Sequence, residues 1–244
     1  MTTPFLFVAA AAVVLLIATP VVLMIAASRG GANLLRIVMA VAFLAIAVSA
    51  IWAISGVLAI VADSVSVTVP IDTMPVQVPA GVTLEGPLAT ISTGGFDRVH
   101  VTATGLSLAA RVVLGAATVL SAATAFAVAV VVLRLARSTR DGNPFAVGPR
   151  ALVITGWVTL VGGTVATWVG NIGDWLASRD LFGLNGWSGT NPDVLNLSEL
   201  GWPDPAALRL DLPWAPVAIA LVMAMLAGVF RYGERLRRDA DGLV

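Results

Sequence analysis

Four of the fourteen arginines of this chain fall in its last fifteen residues, FRYGERLRRDADGLV, directly after an uninterrupted apolar run. Four more, Arg134, Arg137, Arg140 and Arg150, share one short stretch with Asp141 as its only acid. These are the side chains whose density offers chemistry, and that chemistry is electrostatic. The mixture of Arg, Glu and Asp over residues 234–241 suits a charged helix docked on a partner. The plainer alternative is attachment to anionic lipid, worth about 1 kcal/mol per arginine. For the arginines alone lipid attachment is the favoured reading, while Gly233 and the terminal Gly242-Leu243-Val244, not needed for lipid binding, keep the partner reading open.

Covalent and metal chemistry find no comparable set. There is no cysteine, which excludes a disulfide framework, a Cys-based zinc site and a thiol nucleophile. His100 is the single histidine. A metal site takes three or four ligands, so His100 reads as an ordinary strand residue. The aspartates between Asp174 and Asp211 have no calcium-loop spacing. No serine-hydrolase, zinc-protease, P-loop or dinucleotide motif occurs. An intramembrane enzyme would need paired polar groups at depth, and none is found. No helix centre carries the acid or base that proton-coupled transporters use. The sequence therefore predicts a non-enzymatic protein with no cofactor, no metal and no direct nucleic-acid contact.

The elements that hold the arginines follow from composition. Hydrophobic residues make up 58% of the chain and charged residues 11%, against about 25% charged in a soluble domain. A span needs roughly 20 apolar residues. Five runs meet this, over about 5–27, 34–61, 106–135, 151–171 and 214–230. The expected fold is an all-α integral membrane bundle of five transmembrane helices with a small β-rich insertion outside the bilayer. The first run is read as an uncleaved helix. It is capped by Thr3 and Pro4 and kinked at Pro20, and it is long for a signal peptide and lacks a basic residue before it.

Beside a short polar turn at 28–33, three longer connections and a tail remain. Residues 63–104 contain VSVTV, PVQV, GVTL and RVHVTA, which predict three or four short strands with turns at Pro79-Ala80-Gly81 and Thr93-Gly94-Gly95. Residues 173–213 read as an ordered loop with helical turns at 194–200 and 204–210. The two stretches are expected to form one cap, because Trp187, Trp202 and the strand faces need apolar cover. In the basic loop 134–150, Asn143-Pro144 reads as the start of a short helix that Gly148-Pro149 interrupts. The tail covers 231–244. Within the spans, Ser49 and Ser55 are expected to bond to their own helix. Thr155, Thr159, Thr164 and Thr167 are assigned to packing, and Arg111 is expected to snorkel to the surface. Small residues such as Gly115 permit close helix approach, and Trp168 and Trp175 suit a membrane interface.

The charges set an orientation. The 28–36, 134–150 and 231–244 stretches hold ten arginines against four acids, a net of +6, and the remaining residues carry −6. Arginine-rich flanks lie on the cytoplasmic side. Five alternating helices then put the N-terminus outside and the C-terminus in the cytoplasm of a plasma membrane, with both longer connections outside.

Gly142-Asn143-Pro144-Phe145 in the loop, and Val229 to Leu236 followed by Asp239 to Val244 at the end, resemble the bacterial membrane family catalogued as domain of unknown function 2975. Its members have a G-x-P-F loop and end in a pattern similar to F-R-x-G-x-x-L-R-x-D-x-x-G-L-V. Gly156-Trp157 also resembles the family. Pro149 stands where the family often has asparagine, and the family usually has four helices. The resemblance implies no established activity. It does imply a small helix-turn-helix regulator as a cytoplasmic partner. The expected contact residues are Gly142, Pro144, Phe145, Arg231, Gly233, Arg235, Arg237, Arg238 and Asp239. The expected function is a membrane sensor or anchor for that regulator in the lipid bilayer. A small transporter or an immunity-type membrane protein is the alternative.

Overall fold

A computed structural model describes residues 31–75, 95–140, 144–184 and 202–241. The first expected helix lies outside these residues, as do Gly142, Asn143, Trp187, the 79–81 turn and the 194–200 turn. The described elements are α1 (Gly31–Val61), β1 (Ser64–Pro75), β2 (Gly95–Thr104), α2 (Leu108–Arg140), α3 (Pro144–Phe182) and α4 (Trp214–Asp241). All four helices contain stretches long and apolar enough to cross a membrane. The chain divides into two compact units. A ribbon unit comprises Ala53–Leu120 and Val165–Leu212; a charged unit takes in Ser121–Thr164 and the described residues up to Trp52 and from Pro213.

In the ribbon unit, β1 and β2 pair antiparallel from Ser64↔Thr104 to Pro70↔Arg98. Alternation puts Val65, Val67, Val69, Val99, Val101 and Ala103 on one face. Val67, Val69 and Ala103 are buried there with Leu106 and Ala177, and Leu114, Leu181 and Phe182 pack around them. A lone hairpin is marginal in water, and this one is backed by the end of α3. Pro70 has no N–H to continue the ladder. The register breaks after it and resumes at Met74↔Phe96. In the gap Ile71 bridges Pro205, and the Asp72 N–H donates to the Asp204 carbonyl at 2.9 Å. Among the described residues the two connections thus meet at this point; Trp187 and the middle of both connections lie outside them. The ribbon holds two strands, of 12 and 10 residues, among the described residues.

Ser107 starts α2. Its Oγ accepts from the Ala110 N–H at 3.2 Å, an N-cap bond. Gly105, at φ 77°, makes the turn that brings the chain from β2 to that cap. Glycines also set the helix approaches. In the ribbon unit Gly56 and Gly115 face each other across α1 and α2, and a Cβ on Gly115 would lie 2.7 Å from the Gly56 carbonyl. In the charged unit Gly163 lies against Pro216 and Gly156 against Ala220 of α4, while Gly162 lies against Thr124 of α2. Small residues play this part because backbones in lipid associate by close packing.

Helix ends differ from expectation in one direction. α2 runs to Arg140, not 135; α3 starts at Pro144 and ends at Phe182, not 151 and 171; α4 runs to Asp241, not 230. An apolar run marks only the part of a helix that suits lipid. Arginine is a good helix former, and Arg137 and Arg140 in the last turn of α2 favour the negative end of its dipole. Pro149 does not interrupt α3. Its missing N–H would have bonded the Phe145 carbonyl, so the loss falls on one bond near the helix start. Pro144 occupies the first helical position, where proline fits. No helical turn forms at 204–210. Pro203, Pro205 and Pro213 bias the residues before them to extended backbone, and Asp204 uses its carbonyl to pair with β1 instead.

The tight approach at Gly115 gives a test. A Cβ there would meet the Ile60 Cγ1 at 2.6 Å and the backbone oxygen of Gly56, whereas one on Gly170 would sit 3.8 Å from the Ala117 Cβ. Overpacking costs about 1–3 kcal/mol. Gly115→Ala should therefore lower the melting temperature in detergent, and Gly170→Ala should leave it unchanged or raise it.

Candidate functional site

The described residues among those expected to contact a partner fall at the start of α3 and the end of α4 within the charged unit. α4 leaves its apolar part at Phe230 and continues as helix through Arg231, Gly233, Arg235, Arg237, Arg238 and Asp239. Arg231, Arg235 and Asp239 are exposed, and Tyr232 between them is 65% exposed. Arg231 and Arg235 are four apart and share a helix face with Asp239 four further on. The side chains of Arg237 and Arg238 lie outside the description. Pro144 and Phe145 form the first turn of α3, with side chains likewise outside it.

One contact brings the loop and tail segments together. The Phe230 ring lies against Gly148, where a Cβ would approach its Cδ1 to 3.1 Å; Leu135 of α2 lines the same spot. Gly148 thus seats the aromatic ring at the point where α4 turns from apolar to charged. Nearby basic residues are also exposed: Arg134, Arg137, Arg140 and Arg150. The Arg137 guanidinium sits 5.8 Å from the Phe43 ring centre, a cation–π contact. This end of the unit presents charge on firm helical supports. Among the described residues no group of three or more acids or histidines comes together.

The ribbon unit places its polar groups differently, as ties. Ser178 Oγ donates to the Pro70 carbonyl at 2.6 Å, with Ser178 fully buried. The Asp180 carboxylate accepts from the Ser107 N–H at 2.9 Å. That puts an anion at the positive end of α2. Arg111 Nη1 donates to the Ala62 carbonyl at 3.4 Å, just past α1, which puts a cation at the negative end of that helix. Its Nε is buried without a hydrogen-bond partner. Arg111 is thus half-buried and held against backbone. His100 bridges two hydroxyls on the exposed ribbon face, Ser66 at 3.1 Å and Thr68 at 2.9 Å. A neutral imidazole has one donor and one acceptor nitrogen, which suits two hydroxyls. Arg179 stacks on Trp175 at 5.1 Å, and Trp202 meets Phe182 edge-on at 6.1 Å.

Within the helices Ser49 and Thr155 bond back to the carbonyls of Ala45 and Ala151. Thr159 and Thr164 have buried hydroxyls with no partner. Ser178 and Asp180 were not singled out from the sequence. Their signal was the four-residue spacing of Gly173, Ala177 and Leu181, which continues a helix past the apolar run.

No protein-family model, curated protein or solved structure matches this chain.

The Ser178 tie carries a prediction. Ser178→Ala leaves the Pro70 carbonyl without its donor and should cost about 1–3 kcal/mol. His100→Ala, on the exposed face, should stay within about 0.5 kcal/mol. Hydrogen exchange of the β1 and β2 amides should accelerate for the first variant and hold steady for the second.

Proposed function

We propose that this chain is a non-enzymatic multi-pass membrane protein that holds a small cytoplasmic DNA-binding regulator at the membrane. The observation that carries the reading is the continuation of α4 beyond its apolar part. Residues 231–241 extend the helix by about 16 Å, and they carry exposed Arg231, Tyr232 and Arg235. A bare lipid anchor needs charge and no fixed shape. A helix with an exposed aromatic between arginines suits a protein surface. The charge asymmetry of the sequence supports a cytoplasmic position for this end and for the α2–α3 turn. The same asymmetry favours an outer position for the two longer acidic connections, where a sensor would meet its signal. The resemblance of the loop and tail to the family of unknown function supports the same partner class.

Crosslinked pull-down from native membranes tests this, followed by binding of the recovered protein after purification. Full-length protein should recover a small helix-turn-helix protein. A variant truncated after Tyr232, and the double variant Arg231→Glu with Arg235→Glu, should lose at least about tenfold in affinity, the size of about 1.4 kcal/mol. Absence of such a partner with the intact chain would leave the helix as an anchor on anionic lipid.

A transporter or immunity-type role is the second reading, and the unpartnered Thr159 and Thr164 hydroxyls favour it. Solute flux into reconstituted vesicles that falls in Thr159→Val or Thr164→Val would support it over docking.

A further inference from the structure

Residues 208–212 read Leu-Arg-Leu-Asp-Leu and form neither helix nor paired strand. Two side chains of α3 hold them. Trp168 Nε1 donates to the Asp211 carbonyl at 3.1 Å, and Asn171 Nδ2 donates to the Arg209 carbonyl at 3.3 Å. As the segment advances from 209 to 211, its partner on α3 falls from 171 to 168. The segment therefore runs antiparallel to the helix. Leu208, Leu210 and Leu212 are 40%, 49% and 50% exposed, and Arg209 and Asp211 are exposed as well. Three leucines at a spacing of two form one edge of an extended chain.

The two bonds fix the level of this edge. They attach it to a helix whose stretch Gly148–Phe182 is apolar enough to cross a membrane, at a tryptophan and an asparagine where its character changes. Apolar side chains of α1 and α2 in the same unit are exposed too, at Val57, Leu58, Val61 and Val112. These residues lie on candidate membrane spans, whose apolar surface suits lipid. We propose that Leu208–Leu212 is an interfacial strip. Its leucine edge enters the lipid at the boundary of headgroups and acyl chains on the ribbon side, while Arg209 and Asp211 remain among the headgroups.

The backbone chemistry favours that depth. Extended chain in hydrocarbon leaves N–H and C=O groups unpaired, which lipid cannot satisfy. At the boundary, water meets the N–H groups, and α3 already satisfies the carbonyls of Arg209 and Asp211. Arginine can keep its guanidinium in water while its stem lies along apolar surface. A strip of this kind holds the end of α3 level with the membrane surface and sets where the ribbon stands above it. It does not depend on the docking reading of the charged unit.

The chain has no cysteine, so single substitutions give unique labels. Cysteine is placed in turn at each position from 208 to 212 and at Val57, labelled with a nitroxide, and reconstituted in phosphatidylcholine–phosphatidylglycerol vesicles. Collision with oxygen and with a nickel chelate is then measured. Labels at 208, 210 and 212 should favour oxygen and those at 209 and 211 nickel, so the ratio alternates with period two. Val57→Cys should favour oxygen. The proposal is overturned if all five strip labels favour nickel while the Val57 label favours oxygen, which would place the segment in water. It is equally overturned if 208, 210 and 212 are shielded from both reagents, as a covering protein would do. Nickel access at the Val57 label would overturn the membrane reading and the strip with it.

Discussion

The length of α3 governs this protein. Its 39 residues make a helix about 58 Å long, and a bilayer core is about 30 Å thick. Nearly half of such a helix must lie outside hydrocarbon. Its last three turns carry Asp174, Arg179 and Asp180 on exposed or half-exposed positions, and Gly173, Ala177 and Leu181 recur every four residues on the inward side. That inward side is what the ribbon packs on. Val69 and Ala177 have no exposed surface. Burying a valine side chain is worth about 1.5 kcal/mol or more, and a two-stranded ribbon has few other sources of stability.

The polar groups of the ribbon unit follow from that arrangement. A helix projecting beside a ribbon leaves helix ends and a broken ladder to be satisfied. Ser178 reaches the carbonyl of Pro70, the residue at which the ladder breaks. Asp180 meets the start of α2, and Arg111 meets the end of α1. Each charge sits at the helix end of opposite partial charge. These groups are structural in their effect, and they explain why a chain with few charges places two of them, Asp180 and Arg111, at helix ends. In the charged unit, Arg137 and Arg140 complement the end of α2, and the charge of α4 projects outward beyond its apolar part. Phe230 on Gly148 is the joint from which it projects.

The four described spans were legible because lipid demands long apolar runs and little else produces them. The ribbon was legible from Val65, Val67 and Val69 alternating with Ser66 and Thr68. Helix ends were not legible. A run of arginines or of Gly, Asn and Asp has no apolar signal, yet an established helix continues through it where no proline or cap intervenes. The expected 204–210 turn does not form, because Pro203 and Pro205 hold the residues before them in extended backbone. The Ser178 and Trp168 bonds join residues more than forty positions apart, and no local pattern encodes such a pairing. The candidate contact residues were legible as types. Residues 234–241 read as a charged helix, but the unbroken join of that helix to the apolar run was not legible, since the run itself ends at Phe230.

Deuterium exchange across α3 in vesicle-reconstituted protein tests the central claim most directly. If one helix crosses the membrane and then backs the ribbon, protection runs unbroken from 151 to 182. The amides of 173–182 then open together with those of β1 and β2, as one cooperative unit. Rapid exchange of 173–182 beside a protected 151–171 would contradict the account, because the ribbon would then stand without the helix assigned to support it.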